Sequence, residues 1–189
     1  ILREQDICEL YFSEYEEASG MMNFLDAVQN YPDLKGVQTN LYKCFLPQAW
    51  MFGRETGVSA FLHPEGVYDD PRGGLLRKRL YPRLKRHFHF INELKLFSGV
   101  DHHAQFSLNV YSNLTTDVFD TIANLYRPTT IEDCYGGSTR GKVPGIKDEE
   151  NRWNVNGHPD RVVRVGKLEL KLFAQLFDGS DIADEARLP

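Results

Sequence analysis

The segment between Val58 and Tyr111 constrains the fold most, because it contains three strand-like stretches with a helix after the first. Val58–Leu62 is a short apolar run between a glycine and a His-Pro pair, as in a strand buried on both faces. Phe88–Leu96 and Phe106–Tyr111 alternate apolar and polar residues with the period of a half-buried strand. The basic helix that starts at Leu75 separates the first stretch from the second. This alternation predicts an α/β architecture.

The flanking regions give weaker patterns. Residues 4–29 favour two helices that separate at Ser19-Gly20, and residues 37–52 show the three- and four-residue spacing of an amphipathic helix. Further along the chain, the patterns predict a short helix built on Val118, Ile122 and Leu125, a strand at Arg161–Val165 and a helix that starts at Leu168. Residues 136–160 are rich in Gly, Pro, Asn and charge, which indicates an extended loop.

Length and composition favour one well-cored domain. The chain has 189 residues, of which 41% are hydrophobic, and this composition is globular rather than disordered. No apolar run approaches the ~20 residues that span a bilayer, so no membrane association is expected. The three cysteines have no zinc-ligand spacing, which favours a reducing, cytoplasmic location.

A basic segment indicates a contact with nucleic acid. Seven basic residues and no acidic residue lie between Pro71 and Asn92, although the net charge of the whole chain is −5. A basic stripe on an acidic body is typical of a DNA-binding face. The alternative is a solvated helix face whose long side chains cover apolar surface. The predicted DNA-binding residues are Arg72, Arg77, Lys78, Arg79, Arg83, Lys85 and Arg86.

Three stretches then resemble a known family. They read Leu-His-Pro-Glu-Gly-Val-Tyr (62–68), Phe-Ile-Asn-Glu-Leu-Lys-Leu-Phe (90–97) and Phe-Ser-Leu-Asn-Val-Tyr (106–111). They are similar to the region after the catalytic tetrapeptide in N6-adenine DNA methyltransferases of the restriction–modification type, and the resemblance covers residues 37–112. It implies a partial class I (Rossmann-like) methyltransferase sheet with a parallel core, whose last strand inserts antiparallel beside its neighbours. Residues 1–126 would form the C-terminal half of the catalytic domain, and residues 127–189 a loop-rich extension towards a target-recognition region.

The resemblance also implies roles for individual residues. Tyr111 matches an aromatic position that packs against the flipped base, and His63 matches a position near the base pocket. The family's glycine-rich turn for S-adenosyl-L-methionine (AdoMet) and its Asn-Pro-Pro-aromatic tetrapeptide have no counterpart in this sequence. We therefore expect them upstream of Ile1 in a longer polypeptide. The chain alone would bind no cofactor and be inactive, and its partners would be DNA and the remainder of the parent polypeptide.

Other interpretations stay open at this point. The chain could be a stand-alone DNA-binding or interaction domain that uses the basic segment 72–89. Asp69 and Asp70 with the Glu93-Leu94-Lys95 stretch resemble the carboxylate-plus-lysine centre of metal-dependent nucleases. Asp101-His102-His103 could bind a metal ion, provided that the fold places a third ligand beside the adjacent histidines.

Overall fold

The computed structural model describes residues 4–137 and 141–189, and within these residues a five-stranded mixed sheet forms the centre. The sheet has the order β1-β3-β2-β4-β5, and β3 is antiparallel to both β1 and β2. β4 is parallel to β2, and β5 is antiparallel to β4. The α/β class is therefore confirmed. The strands are β1 Val58–Pro64, β2 Leu84–Ile91, β3 Gln105–Ser112, β4 Phe119–Leu125 and β5 Val163–Val165.

The described residues form five α-helices, of which four pack on the two faces of the sheet and the first is exposed along most of its length. They are α1 Glu4–Asp26, α2 Leu41–Phe52, α3 Gly74–Leu80, α4 Thr129–Tyr135 and α5 Lys167–Phe173. Asn40 caps α2, because its side-chain oxygen accepts a hydrogen bond from the Tyr42 N–H at 3.4 Å. α1 is one continuous helix across Ser19-Gly20, whereas the sequence predicts two helices. No helix among the described residues combines the length and apolar character needed to cross a bilayer.

β1 and β2 run in the same direction, since each is antiparallel to β3. Two parallel strands require a crossover connection, and α3 provides it. β2 and β3, in contrast, are consecutive and antiparallel, so a loop is enough to join them. The last of the three strands in the 58–111 segment thus lies between the first two.

Two apolar clusters cover the two faces of the sheet. On one face, α2, α3 and α5 pack against strand residues that include Leu84, Tyr111 and Phe119. On the other face, α4 contributes Cys134 to a smaller cluster with Phe88, Phe90, Ile122 and Leu125. The second face of β1 carries no such cover, and Val58 and Leu62 remain exposed there.

The predicted helix at residues 116–125 is wrong, because Phe119–Leu125 forms strand β4. Phe119 belongs to one apolar cluster and Ile122 to the other. A strand that is apolar on both faces shows no two-residue alternation, so its apolar residues fell by coincidence at helical spacing.

Residues 127–189 pack onto the first part of the chain. β5 extends the sheet next to β4, and Val165 and Leu170 are buried in the same cluster as Leu84. α4 contributes Cys134 to the second cluster. Residues 127–189, the predicted extension, therefore share both apolar clusters with the residues before them.

Arg77 corrects one predicted DNA contact. Its side chain is buried, with 1% exposure, and its guanidinium donates hydrogen bonds to three main-chain carbonyls. The acceptors are Val67 at 3.2 Å, Asp70 at 2.7 Å and Glu185 at 2.9 Å. Arg77 therefore ties α3 to the preceding loop and to the C-terminal segment, and it is not available to a phosphate.

We expect Arg77→Lys to lower the free energy of unfolding by about 2–4 kcal/mol, because an ammonium group cannot reproduce the planar donors and leaves buried carbonyls unpaired. Lys78→Ala is the matched control, since Lys78 is the exposed neighbour on the same helix. It should change stability by less than about 0.5 kcal/mol. Urea denaturation of both variants measures the difference, and equal stabilities would contradict the structural role of Arg77.

Candidate functional site

A layer of polar side chains lies on one face of the sheet near the carboxyl ends of β1 and β2. In open α/β sheets, ligands bind at the carboxyl ends of the parallel strands, so this layer is the first place to seek a function. The strand register aligns His63, Ser107 and His89 in one row across β1, β3 and β2. Glu65 follows β1 directly. The next row contains Asn109 and His87, and Tyr68 and Tyr111 complete the layer.

His63 lies at the centre of a buried hydrogen-bond network. Its Nδ1 lies 2.9 Å from the Pro64 carbonyl, which can only accept, so Nδ1 carries the proton. Its Nε2 therefore accepts from the Asn109 amide at 3.0 Å and lies 3.2 Å from the Tyr111 hydroxyl. The Tyr68 hydroxyl donates to Asn109 Oδ1 at 2.6 Å and lies 3.0 Å from the Tyr111 hydroxyl.

Burial keeps this network neutral. It lowers the pKa of His63, and the nearby Pro64 carbonyl and Glu65 carboxylate only partly oppose the effect. It raises the pKa of the Tyr68 and Tyr111 hydroxyls well above the ordinary value. These groups therefore orient one another by hydrogen bonds and carry no charge at neutral pH.

Glu65 is the charged member of the layer. Its Oε2 lies 3.3 Å from His87 Nε2, and His87 Nδ1 lies 2.9 Å from the Thr121 hydroxyl. Burial would raise the pKa of Glu65, but the interactions with His87, together with Ser107 and the charge of His89, outweigh burial and lower it. The second carboxylate oxygen, Oε1, is buried without a hydrogen-bond partner. Glu65 can thus accept one further hydrogen bond from a donor that reaches it.

Residues of α2 close the layer on the outside. The Tyr42 ring stacks on His63 with 5.5 Å between centroids. Burial, together with the acids Asp69, Glu65 and Asp70, raises the pKa of Tyr42 to about 12. The adjacent Lys43 forms an ion pair with Asp70 at 3.2 Å. The carboxyl ends of β1 and β2 are therefore packed with protein side chains.

The predicted base-stacking role of Tyr111 is wrong for this structure. Tyr111 has 0% exposure, and its ring packs against Trp50 and Phe61. His63 has 4% exposure and uses both ring nitrogens inside the protein, which corrects its predicted place in a base pocket. Both residues support the carboxyl end of β1.

The sequence patterns do not predict Glu65, His87 and Asn109 as site residues. A signal was present, because polar residues recur at every second position in β2 and β3, at His87 and His89 and at Ser107 and Asn109. That spacing places them on one face of a sheet. Only the pairing of the strands shows that these polar rows meet.

The seven basic residues do not form one surface. Arg72, Lys78 and Arg79 are exposed, and Arg83, Lys85 and Arg86 are half-buried. Arg83 lies over the Trp50 ring at 5.3 Å, while Arg86 pairs with Asp120 at 3.2 Å and lies over Tyr135 on the opposite face of the sheet. The exposed positive charge that remains for a polyanion is concentrated at and just before α3.

The carboxylates of the nuclease interpretation are engaged separately. Asp70 pairs with Lys43, whereas Glu93 lies 3.2 Å from His103. Within residues 4–137 and 141–189, the possible metal ligands that converge are Glu93, His102 and His103, without Asp69 or Asp70.

Neither a protein-family model nor a curated protein sequence matches this chain.

We expect acidification to destabilise the protein through its buried histidines. Burial lowers the pKa of His63 and His89 below the ordinary 6.5, so the unfolded chain binds protons first as the pH falls. Stability is therefore greatest above about pH 6.5 and declines towards pH 5.5. In urea denaturation across this range, His63→Gln should reduce the slope of unfolding free energy against pH.

Tyr111→Phe is the control for this measurement. It removes the hydroxyl next to His63 Nε2 but keeps the titrating ring, so the pH slope should remain. Its overall stability should fall by about 1–2 kcal/mol because a buried hydrogen bond is lost. An unchanged slope in His63→Gln would show that His63 does not contribute to the pH dependence.

Proposed function

We propose that this chain forms the C-terminal half of the catalytic domain of an AdoMet-dependent N6-adenine DNA methyltransferase of the restriction–modification type. The observation that carries the proposal is the strand order, with β3 antiparallel between the parallel strands β1 and β2. The resemblance of residues 37–112 implies this arrangement for the end of a class I methyltransferase sheet. On this proposal the protein acts in the cytoplasm, on DNA.

The free edge of β1 supports the proposal that a further strand of the parent polypeptide pairs with it. In the described sheet β1 pairs with β3 on one side, and its other side is an edge. Val58 and Leu62 on β1 are 69% and 52% exposed. An exposed apolar edge strand is prone to pair with a further strand. We infer that the remainder of the parent polypeptide supplies that strand and covers the open face of β1.

α2 supports the same conclusion. Leu41, Phe45 and Phe52 lie along one stripe of the helix, and they are 54%, 54% and 79% exposed. The opposite side of α2 is buried through Leu46 and Trp50. An amphipathic helix normally exposes polar residues. The apolar stripe is therefore a second surface that the rest of the domain would cover.

In the part of the chain that the structure describes, the carboxyl ends of β1 and β2 leave no open site for AdoMet. Tyrosine, histidine and asparagine side chains fill the layer at the carboxyl ends of β1 and β2, and Tyr68, Asn109 and Tyr111 have at most 1% exposure. We therefore assign cofactor binding and methyl transfer to the rest of the parent enzyme. In this proposal His63 and Tyr111 position the end of β1 and the Glu65–Asp70 loop.

The proposal predicts that Leu62→Asp prevents this chain from assembling with the rest of the parent polypeptide. Leu62 is exposed on the uncovered face of β1, so the isolated variant should fold normally, as judged by circular dichroism. When the variant is coexpressed with the polypeptide encoded upstream of Ile1, copurification and adenine-N6 methylation of DNA from labelled AdoMet should both be lost. A buried carboxylate at the strand interface would cost several kcal/mol.

Leu168→Asp is the matched control, since Leu168 is 81% exposed on α5, on the other side of the sheet. It should leave copurification and methylation unchanged. Unimpaired assembly of Leu62→Asp would remove the β1 surface from the proposal. An upstream reading frame without an Asn-Pro-Pro-aromatic motif after a strand would overturn the methyltransferase proposal itself.

A stand-alone DNA-binding domain is the second candidate, and the exposure of Arg72, Lys78 and Arg79 favours it. Arg72 lies just before α3, and Lys78 and Arg79 lie in its last turn. Phosphate contacts from such residues add affinity that falls steeply with salt. They could also help the parent methyltransferase to hold DNA.

The double variant Lys78→Glu/Arg79→Glu tests this contact. We expect at least a tenfold loss of duplex DNA affinity at low salt, and a log–log salt slope that is smaller by about 1.8 if both residues contact phosphate. Lys167→Glu, an exposed lysine at the start of α5, is the control and should retain both affinity and slope. Fluorescence anisotropy over a salt series measures both. Equal binding by all proteins would exclude α3 as a DNA contact.

A further inference from the structure

The loop between β2 and β3 is organised by one buried side chain, that of Asn92. Asn92 has 0% exposure although it lies at the start of a surface loop. Its amide nitrogen contacts the carbonyls of Phe97, Val100 and Asp101 at 2.9–3.1 Å, and its oxygen accepts the Phe97 N–H at 3.0 Å. The two sides of the loop are thus fixed relative to each other before any ligand binds.

This loop brings together the side chains of Glu93, His102 and His103. One potential ligand atom from each lies within 4.8 Å of the others. Glu93 Oε1 is 3.2 Å from His103 Nδ1, and the ring centroids of His102 and His103 lie 3.8 Å apart. A tight turn holds the histidines, in which Asp101 Oδ1 accepts the His103 N–H at 2.7 Å.

We propose that Glu93, His102 and His103 form a binding site for a divalent transition-metal ion of the Zn²⁺ class. Two imidazoles and one carboxylate are a donor set that Zn²⁺ accepts, with a fourth tetrahedral position left for water or another ligand. Mg²⁺ and Ca²⁺ prefer all-oxygen sites, so the two nitrogen donors select against them.

The ligands are available to an ion at low cost. The His103 side chain is 71% exposed, whereas that of Glu93 is 13% exposed, so their hydrogen bond is open to solvent on the histidine side. An ion can replace it without opening the core. Glu93 follows β2 and the histidines precede β3, so a bound ion would cross-link the two ends of the loop. The site does not depend on the methyltransferase proposal, because it uses none of the residues of the polar layer.

Isothermal titration calorimetry with ZnCl₂ tests the site on the full chain, without an affinity tag and after treatment with a chelator. We expect saturable binding of one ion per chain and no comparable binding of MgCl₂. His102→Ala, His103→Ala and Glu93→Gln should each weaken Zn²⁺ binding at least tenfold. Glu55→Gln is the matched control, since Glu55 is an exposed acid just before β1, at the other end of the sheet, and it should bind like the unaltered protein.

Thermal denaturation separates metal binding from folding defects. His102→Ala and His103→Ala should retain the metal-free melting temperature of the unaltered protein, because both side chains are exposed. The Glu93 side chain is 13% exposed, so the effect of Zn²⁺ on Glu93→Gln is measured against the metal-free melting temperature of that variant. Zn²⁺ should raise the melting temperature of the unaltered protein and of Glu55→Gln, because a ligand that binds the folded state stabilises it. Absence of saturable Zn²⁺ binding, or equal affinity in the ligand variants, would overturn the proposal.

Discussion

The antiparallel position of β3 between two parallel strands is the constraint on which the rest of the structure depends. It forces the chain to cross from β1 to β2 over one face of the sheet, and α3 makes that crossing. It also brings β3 into register with both neighbours at once. His63 and His89 therefore flank Ser107, and Phe61 and His87 flank Asn109. A layer of polar side chains follows directly from this pairing.

Such a layer is stable only when its members satisfy one another. Leaving one buried donor or acceptor unpaired costs about 1–3 kcal/mol, which is a large part of the stability of a domain. Here the Asn109 amide donates to His63 Nε2, the Tyr111 hydroxyl lies beside the same nitrogen, and the Tyr68 hydroxyl donates to Asn109. Hydrogen bonds occupy both ring nitrogens of His63, and the Tyr111 ring that would stack on a base packs against Trp50 and Phe61. Filling the carboxyl ends of β1 and β2 thus excludes a base pocket at these two residues.

Local sequence pattern predicts most of the strands, and burial explains where it does not agree with the structure. The short apolar run of β1 and the alternating run of β3 both predict strands, but β1 is exposed on one face rather than buried on both, as its apolar run indicates. The pattern of β4 predicts a helix, because both faces of this strand are covered. A charged residue such as Arg77 is expected at the surface, yet it is buried and donates to three carbonyls, two in the preceding loop and one in the C-terminal segment. The third ligand beside His102-His103 could not be found either, since the Asn92 side chain, rather than sequence spacing, places Glu93 next to them.

The two edges of the sheet differ in the surface that they present to a partner. Toward β5 the sheet continues under α5, and Val165, Leu170 and Ala174 are buried in one cluster. Toward β1 the sheet ends in an apolar strand, and α2 adds an apolar stripe beside it. Hydrogen-bonding groups along a strand edge favour another strand, and apolar side chains on both faces favour a partner that covers both. A polypeptide that extends the sheet has both features, whereas DNA, a polyanion, has neither. The polypeptide proposed for the β1 side and the DNA contact proposed around α3 would therefore use different surfaces.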